Sequence, residues 1–321
     1  MADCLESANA ILGNLEGAHR VHGWPVPLRV TNVSFGGVQA QLATLAGIGE
    51  PHPYVHDAVS SSLMTTGGWE ILDPQEIATA ANRAAPLPSE GTFLDVGAQL
   101  GFYSFAFAKR GYRVIAIEPM LHHTLAMEAS RCLNMPWAGR ITILHTAALR
   151  PAQLSGSCAV MSPWKSNNHG DGKLECTRTR GASQCQRRHN GQIISSNFTY
   201  FFHYRRFCQQ ILSPLRTLDA LLLDSETQLS SVDVAKVDTA GSECDVLAGA
   251  NRSLFQLLRP TLILVNIESP VSEACVRELA QTHGYSVHAF DVAMTPMPVA
   301  RGMNGKHVVL ADSAARTENK L

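Results

Sequence analysis

From residue 92 onward the chain alternates short runs of strand formers with helix-length stretches, and that rhythm constrains the fold more than any other feature. The runs "TFLDVG", "RVIAIEP", "ITILHTAAL", "VDVAKVDTA", "TLILVNIES", "YSVHAFD" and "KHVVLAD" read as strands; "GFYSFAFAKR", "LHHTLAMEASRCLN", "SECDVLAGANRSLFQLL" and "EACVRELAQTH" read as helices between them. Alternation of this kind builds a mostly parallel sheet wrapped by helices. The expected fold is therefore α/β, a doubly wound, seven-stranded, mostly parallel sheet of Rossmann-like form. The last two strands are joined by "MTPMPVARGMNG", which has no helical pattern, so they are expected to form an antiparallel hairpin at one edge.

Two segments depart from the rhythm. Residues 1–90 are expected to form a cap over the domain at 91–321, with a helix in "WEILDPQEIATAANRAA" entered through Asp73 and Pro74. Residues 150–215, rich in Ser, Gly, Asn and Arg, are too long for an ordinary connection and read as an insertion after the third strand. Between 161 and 210 it carries Lys165, Lys173, Arg178, Arg180, Arg187, Arg188, Arg205 and Arg206 against only Asp171 and Glu175. On a chain of net charge −1 this is a local basic patch, suited to a solvated loop or to contact with an anionic substrate or nucleic acid. His169, Cys176, Cys185 and His189 lack the spacing of a zinc site.

The first twenty residues lack a basic segment followed by a continuous apolar one, and no run is long enough to cross a bilayer, so the expected location is cytoplasmic, without membrane contact. Eight cysteines without a CxxC pair fit reduced, mostly buried thiols. The Asn-x-Ser/Thr sequons at Asn32, Asn197 and Asn251 would matter only in a secreted chain.

The chemistry concentrates around "GTFLDVGAQLGFYSFAFAKRG". The strand delivers Asp95 to a tight turn at Gly97, and Gly101 opens an apolar helix whose first amides can seat an anionic group. A dinucleotide turn would read GxGxxG, but Gln99 and Phe102 stand where two of those glycines belong. What remains is Asp-x-Gly-x-x-x-Gly followed by Glu118 at the end of the next strand, where a carboxylate can take both hydroxyls of a ribose.

These residues resemble the S-adenosylmethionine site of class I methyltransferases, and "FLDVGAQLGFYSFAFA…VIAIEP" is similar specifically to the FkbM family. "PLRTLDALL", "VDVAKVDTAGSECDVLAGA", "LRPTLILVNIES" and, more faintly, "SNNHGDGKL" extend the likeness over roughly residues 55–311. Departures from the family pattern are Gln99 for Asn, Ala240 for Glu and Asn266 where an acid is common. The resemblance implies S-adenosylmethionine as cofactor, with Asp95, Gly97, Ala98, Gln99, Gly101, Phe102, Tyr103, Glu118, Pro119 and Ala147 around it. It also implies a hydroxyl acceptor on a sugar or small metabolite.

Methyl transfer from a sulfonium needs in-line alignment and, for a hydroxyl acceptor, a base. Asp238 ends the fourth strand, with Lys236 two residues earlier on the same face. The pair can hold the methionine ammonium or accept a proton; alternatively Asp238 caps the helix near Ser242. Glu268 can line the acceptor pocket, and His169 is a further base candidate. Glu243 and Asp245 read as helix-dipole partners. The expected partner is a small-molecule or glycan acceptor, anionic if the basic insertion reaches it. "KVDTAG" in place of Asn/Asp-Pro-Pro-aromatic argues against methylation of a nucleic-acid base. A nucleic-acid methyltransferase, a cofactor-binding protein without turnover and a nicotinamide dehydrogenase stay open as alternatives.

Overall fold

The computed structural model describes residues 4, 6–12, 28–35, 37–45, 57–82, 86–148, 150, 157–163, 172–177, 187–189, 192–194, 200–203, 206–210, 215–224, 229–290 and 306–314. The N-terminal region comprises α1 (6–12), the strands β1 (Leu28–Phe35) and β2 (Val38–Leu45), and the helices α2 (Ala58–Thr66) and α3 (Gln75–Ala80). Next come β3 (Thr92–Val96), α4 (Phe102–Arg110), β4 (Arg113–Ile117), α5 (Leu121–Leu133), the single turn α6 (Met135–Ala138) and β5 (Ile141–Leu144). The insertion holds β6 (Ser157–Pro163), β7 (Lys173–Thr177), β8 (Arg187–His189), β9 (Gln192–Ile194), β10 (Tyr200–His203) and β11 (Arg206–Gln210). After it follow α7 (Leu218–Leu222), β12 (Val234–Val237), α8 (Glu243–Ala248), β13 (Leu262–Ile267), α9 (Pro270–Thr282), β14 (Tyr285–Phe290) and β15 (Lys306–Asp312).

All seven expected strands form one sheet, in the order β14-β15-β13-β12-β3-β4-β5. β5, β4, β3, β12 and β13 run parallel, while β15 runs against both β13 and β14, so the expected terminal hairpin is present. Chain order reverses between β3 and β12, the point in an open parallel sheet where loops diverge and leave a crevice. The central strands read as continuous apolar runs because both faces are covered. α4 is buried from Phe102 to Ala108, and Phe107 stacks on Phe93 of the sheet with ring centres 3.8 Å apart.

The β1–β2 hairpin rests on α5: Ala43 N donates to Ser130 Oγ (2.8 Å) and Asn134 Nδ2 to the Gln41 carbonyl (2.6 Å). The N-terminal region therefore covers helices on one face of the sheet. The helix after Pro74 spans only Gln75–Ala80, with Asp73 Oδ1 accepting from Gln75 N at 2.7 Å. The stretch "SECDVLAGANRSLFQLL" is not one helix; it divides at Gly249 into α8 and a π-helical turn at Ser253–Leu258, where Asp219 Oδ1 accepts from both Ser253 N and Ser253 Oγ at 2.6 Å. Within the insertion, β10-β11-β6-β7 form a second, antiparallel sheet, and β8 pairs with β9.

The cysteines overturn an expectation. Cys4 and Cys132 form a disulfide that ties the N-terminal region to α5, and Cys244 and Cys275 form another between α8 and α9. Lack of CxxC spacing was a poor guide because both bridges join residues far apart in sequence. Among the described residues no helix is long and apolar enough to cross a membrane.

Candidate active site

The carboxyl ends of β3, β4, β12 and β13 and the amino end of the reversed strand β15 meet along one rim of the sheet. On its β3–β4 side, Gly97 turns with φ +80°, and a side chain there would collide with the carbonyl oxygen of Asp238. Glycine at 97 thus lets the turns after β3 and β12 approach each other. Gly97 N and Ala98 N donate to the Ile117 carbonyl at 2.9 and 3.2 Å, which ties the turn to β4. Glu118 completes the tie: its Oε2 accepts from Gln99 N (2.9 Å) and its Oε1 from Met120 N (2.8 Å). Gln99 itself adopts φ +52°, and its Nε2 lies 3.5 Å from Asp57 Oδ1 of the N-terminal region.

Asp95 is fully buried between these turns; Oδ2 accepts from Ser104 Oγ at 2.7 Å, and Oδ1 has no hydrogen-bond partner among the described residues. Burial raises its pKa above the ordinary carboxylate value, with Lys236 opposing. Gly101 has a different reason for being glycine from the one the sequence suggests. At φ +82°, a Cβ there would lie 2.9 Å from Met127 Cγ and 3.1 Å from the Phe105 ring, so the room it leaves is taken up by α5 packing on α4.

The β12–β13–β15 side is a cluster of charged and polar groups in which Lys236, Glu70, Tyr103 and His307 are buried and Asp238 and Asn266 half-buried. Lys236, the register neighbour of Asp95, places Nζ 3.1 Å from Asp238 Oδ2, 3.8 Å from Asp95 Oδ1 and 5.1 Å from the centre of the Tyr103 ring. Burial works to lower the Lys236 pKa, but Asp238, Asp95 and Glu70 outweigh it and hold the ammonium charged. For Asp238 burial acts upward, yet Lys236, His307 and Asn266 together bring its carboxyl below the ordinary value. Asp238 Oδ1 also accepts from Asn266 Nδ2 at 3.0 Å. These contacts dispose of the helix-cap reading, since the N-cap of α8 is Ser242 and no side chain caps it.

Glu70, Ser104 and His307 join the site without having been singled out in the sequence. Glu70 sits at the apex of a three-residue turn closed by Ile71 N donating to the Trp69 carbonyl (2.6 Å), with φ +59°. A glutamate held in that region stores about 1–3 kcal/mol of strain. Its buried carboxylate accepts from Tyr103 Oη at 3.0 Å and lies 3.5 Å from His307 Nε2. Burial raises the Glu70 pKa and drives that of Tyr103 well above its ordinary value. His307 is the register partner of Asn266; neither ring nitrogen, nor Asn266 Oδ1, has a hydrogen-bond partner among the described residues. The one sequence signal for Glu70 is its place inside "WEILDP", which carries no motif; His307 lies in "KHVVLAD", which reads simply as a strand.

The remaining expected residues divide. Tyr103 turns toward the acids, and Phe102 packs on Phe35 with ring centres 5.0 Å apart, as core. Ala98 packs with Ala116 and Met127, and Ala147 with Met120 and Val160 of the insertion. The Pro119 carbonyl lies 3.1 Å from His145 Nε2. Glu268 is half-buried, and a Cβ added to Gly241 would lie 3.3 Å from its Oε2, which puts its carboxylate beside the loop after β12. Glu243 proves to be a loop staple: Oε1 accepts from Thr239 N and Gly241 N at 3.0 and 2.9 Å, and burial lifts its pKa to about 7. His169, Lys165, Arg178, Arg180 and Arg205 lie outside the described residues.

The sequence profile of the methyltransferase FkbM domain matches residues 95–287, a span that runs from Asp95 through Asp238 to β14. The chain belongs to the FkbM methyltransferase family. As an FkbM protein it is a methyltransferase dependent on S-adenosylmethionine, and the residues present fit that cofactor: a buried Asp95 Oδ1 without a hydrogen bond among the described residues, and a Glu118 carboxylate at the end of β4 whose Oε2 accepts only from Gln99 N there, while Oε1 meets both Met120 N and His123 Nδ1. Among solved structures, the FkbM chain is similar to precorrin-6y C5,15-methyltransferase from Geobacter metallireducens (12% identity over 74% of this chain and 86% of that one, TM-score 0.38). It is also similar to a SAM-dependent O-methyltransferase from Thermotoga maritima (9% identity, 88% and 92% covered, TM-score 0.38). Magnesium protoporphyrin IX methyltransferase from Synechocystis, solved with bound SAM, matches at 10% identity over 74% and 76%, with TM-score 0.37. No curated protein matches the chain.

Proposed function

We propose that this FkbM methyltransferase transfers a methyl group to a hydroxyl of a sugar or another small metabolite, and that His307, backed by Glu70, takes the hydroxyl proton. The observation that carries this reading is the buried pairing of Glu70 with His307 beside Asp238 and Asn266, on the rim next to the turns of Asp95 and Glu118. When bound, S-adenosylmethionine supplies an electrophilic methyl group on sulfur. Glu118 would hold the ribose hydroxyls, with the turn from Gly97 to Gln99 beside them. Asp238, kept ionised by Lys236, is a weak proton acceptor and suits the methionine ammonium better. Neither ring nitrogen of His307 has a hydrogen-bond partner among the described residues, and the Glu70 carboxylate 3.5 Å from Nε2 would orient the ring, which leaves Nδ1 as the nitrogen for an acceptor hydroxyl to reach. Asn266 Oδ1 and Glu268 are placed to orient the acceptor, and the basic insertion suits an acceptor that carries negative charge.

The test is an extract of the source cells incubated with the protein and methyl-labelled S-adenosylmethionine, followed by mass spectrometry of the small-molecule, glycan and nucleic-acid fractions. Label in a methyl ether supports the reading. Label confined to nucleic acid, or a His307→Gln variant that labels the same product at the wild-type rate, would overturn it.

A further inference from the structure

Two independent features that the proposed reaction does not use point to the compartment in which this chain matures. The first is the pairing of cysteines: Cys4 with Cys132, and Cys244 with Cys275, with no free cysteine among the described residues. In addition, Cys158 and Cys176 are register partners across the antiparallel pair β6–β7. Paired antiparallel strands hold such Cα atoms about 4.5–5.5 Å apart, within the span of a disulfide. Bridges of this kind persist in oxidising surroundings and are rare where glutathione and thioredoxin keep thiols reduced.

The second feature is the exposure of the sequons. Asn32 faces solvent on β1, between the buried side chains of Thr31 and Val33. Asn251 is exposed on the turn after α8, while Ser253, the hydroxyl member of its sequon, is buried against Asp219. α8 begins at the rim and runs away from it, so Asn251 lies toward the opposite end of the sheet, where an added sugar leaves the site open. Asn197 lies outside the described residues.

We propose that the chain matures in an oxidising, glycosylating compartment, where Cys4 pairs with Cys132, Cys244 pairs with Cys275, and Asn32 and Asn251 each carry an N-linked glycan. Each disulfide forms by exchange with a disulfide-bearing oxidant: two thiols lose two protons and two electrons, and the oxidant leaves as a dithiol. Each glycan arrives when the asparagine amide nitrogen bonds to the anomeric carbon of a lipid-pyrophosphate-linked oligosaccharide; the pyrophosphate leaves with the electron pair of the broken bond, and the amide loses one proton. This inference departs from the cytoplasmic location the sequence suggests, and it stands whichever hydroxyl the enzyme methylates. It requires both methyl donor and acceptor to be present in that compartment.

The experiment uses the full chain recovered from its own cells, with free thiols alkylated at lysis and no reductant added. Peptide mass spectrometry is expected to show linked peptides for Cys4–Cys132 and Cys244–Cys275, and peptide N-glycosidase in heavy-oxygen water is expected to leave labelled aspartate at positions 32 and 251. Asn32→Gln and Asn251→Gln, expressed in the same cells, should each remove one step in electrophoretic mobility. Alkylated thiols at those four cysteines, or unmodified asparagine at either sequon, overturns the proposal. Since neither outcome reads methyl transfer, failure here is distinct from failure of the proposed reaction.

Discussion

The two halves of the sheet rim are built on opposite principles. On the β3–β4 side the groups are drawn from one compact stretch, residues 95–120, and most are already engaged: Glu118 accepts from two backbone amides, and Asp95 accepts from Ser104, with Asp95 Oδ1 the one buried side-chain oxygen there left without a hydrogen bond among the described residues. On the β12–β13–β15 side they come from residues 70, 103, 236, 238, 266 and 307, and several polar atoms stay unpartnered in the described structure. A half held by its own backbone keeps one shape and suits a ligand of fixed identity. A half with buried, under-used polar groups is costly to fold and is best explained by chemistry done there, because an unsatisfied buried polar atom costs about 1–3 kcal/mol.

The sharpest way to break this contrast is to change the reactive half and read both binding and rate. His307→Gln and Glu70→Gln are expected to lower turnover by about 10²- to 10⁴-fold. Calorimetry should show S-adenosylmethionine affinity unchanged in both, and a parallel loss of affinity would merge the two halves into one. On the other half, Glu118→Ala should weaken cofactor binding by roughly tenfold to a hundredfold, the equivalent of about 1.5–3 kcal/mol for a hydrogen-bonded charge. Its maximal rate at saturating cofactor should change much less.

A third substitution separates folding cost from chemistry. Burial raises the folded pKa of Glu243 from an ordinary 4.5 to about 7. Folding therefore favours its protonated form: that contribution is fully present below pH 4.5 and is lost as pH rises through 7. Glu243→Gln should leave stability at pH 4.5 nearly as it was and raise it by about 3 kcal/mol at pH 8, measured by denaturant unfolding. The smallest effect is expected from the insertion. Neutralising Arg187 and Arg188 together should raise the acceptor KM by a few-fold, with salt reproducing part of the change for an anionic acceptor, while cofactor affinity stays constant.

What could be read in advance follows the same division. The seven strands announced themselves because fully buried strands are written as continuous apolar runs, and the β3–β4 turns because their groups sit within a short stretch of chain. The hairpin β1–β2 has a signal of its own in the sequence: Gly36-Gly37 between "VTNVSF" and "VQAQL" is a turn dipeptide between alternating runs. Glu70 and His307 carried none, since only tertiary folding brings the end of the N-terminal region beside the start of β15. The cysteine pairs were hidden for the same reason, being 128 and 31 residues apart.

One consequence follows from the direction of β15. In a sheet where every neighbour presents its last residue to the rim, this strand presents its first, so His307 is positioned by the chain that leads into it. Loops that follow parallel strands can lengthen or shorten without disturbing the pairing upstream of them. The connection 291–305 has the same liberty at its far end, because β15 is clamped between β13 and β14 along its whole length. Changes of length there need not shift the register that sets His307 against Asn266.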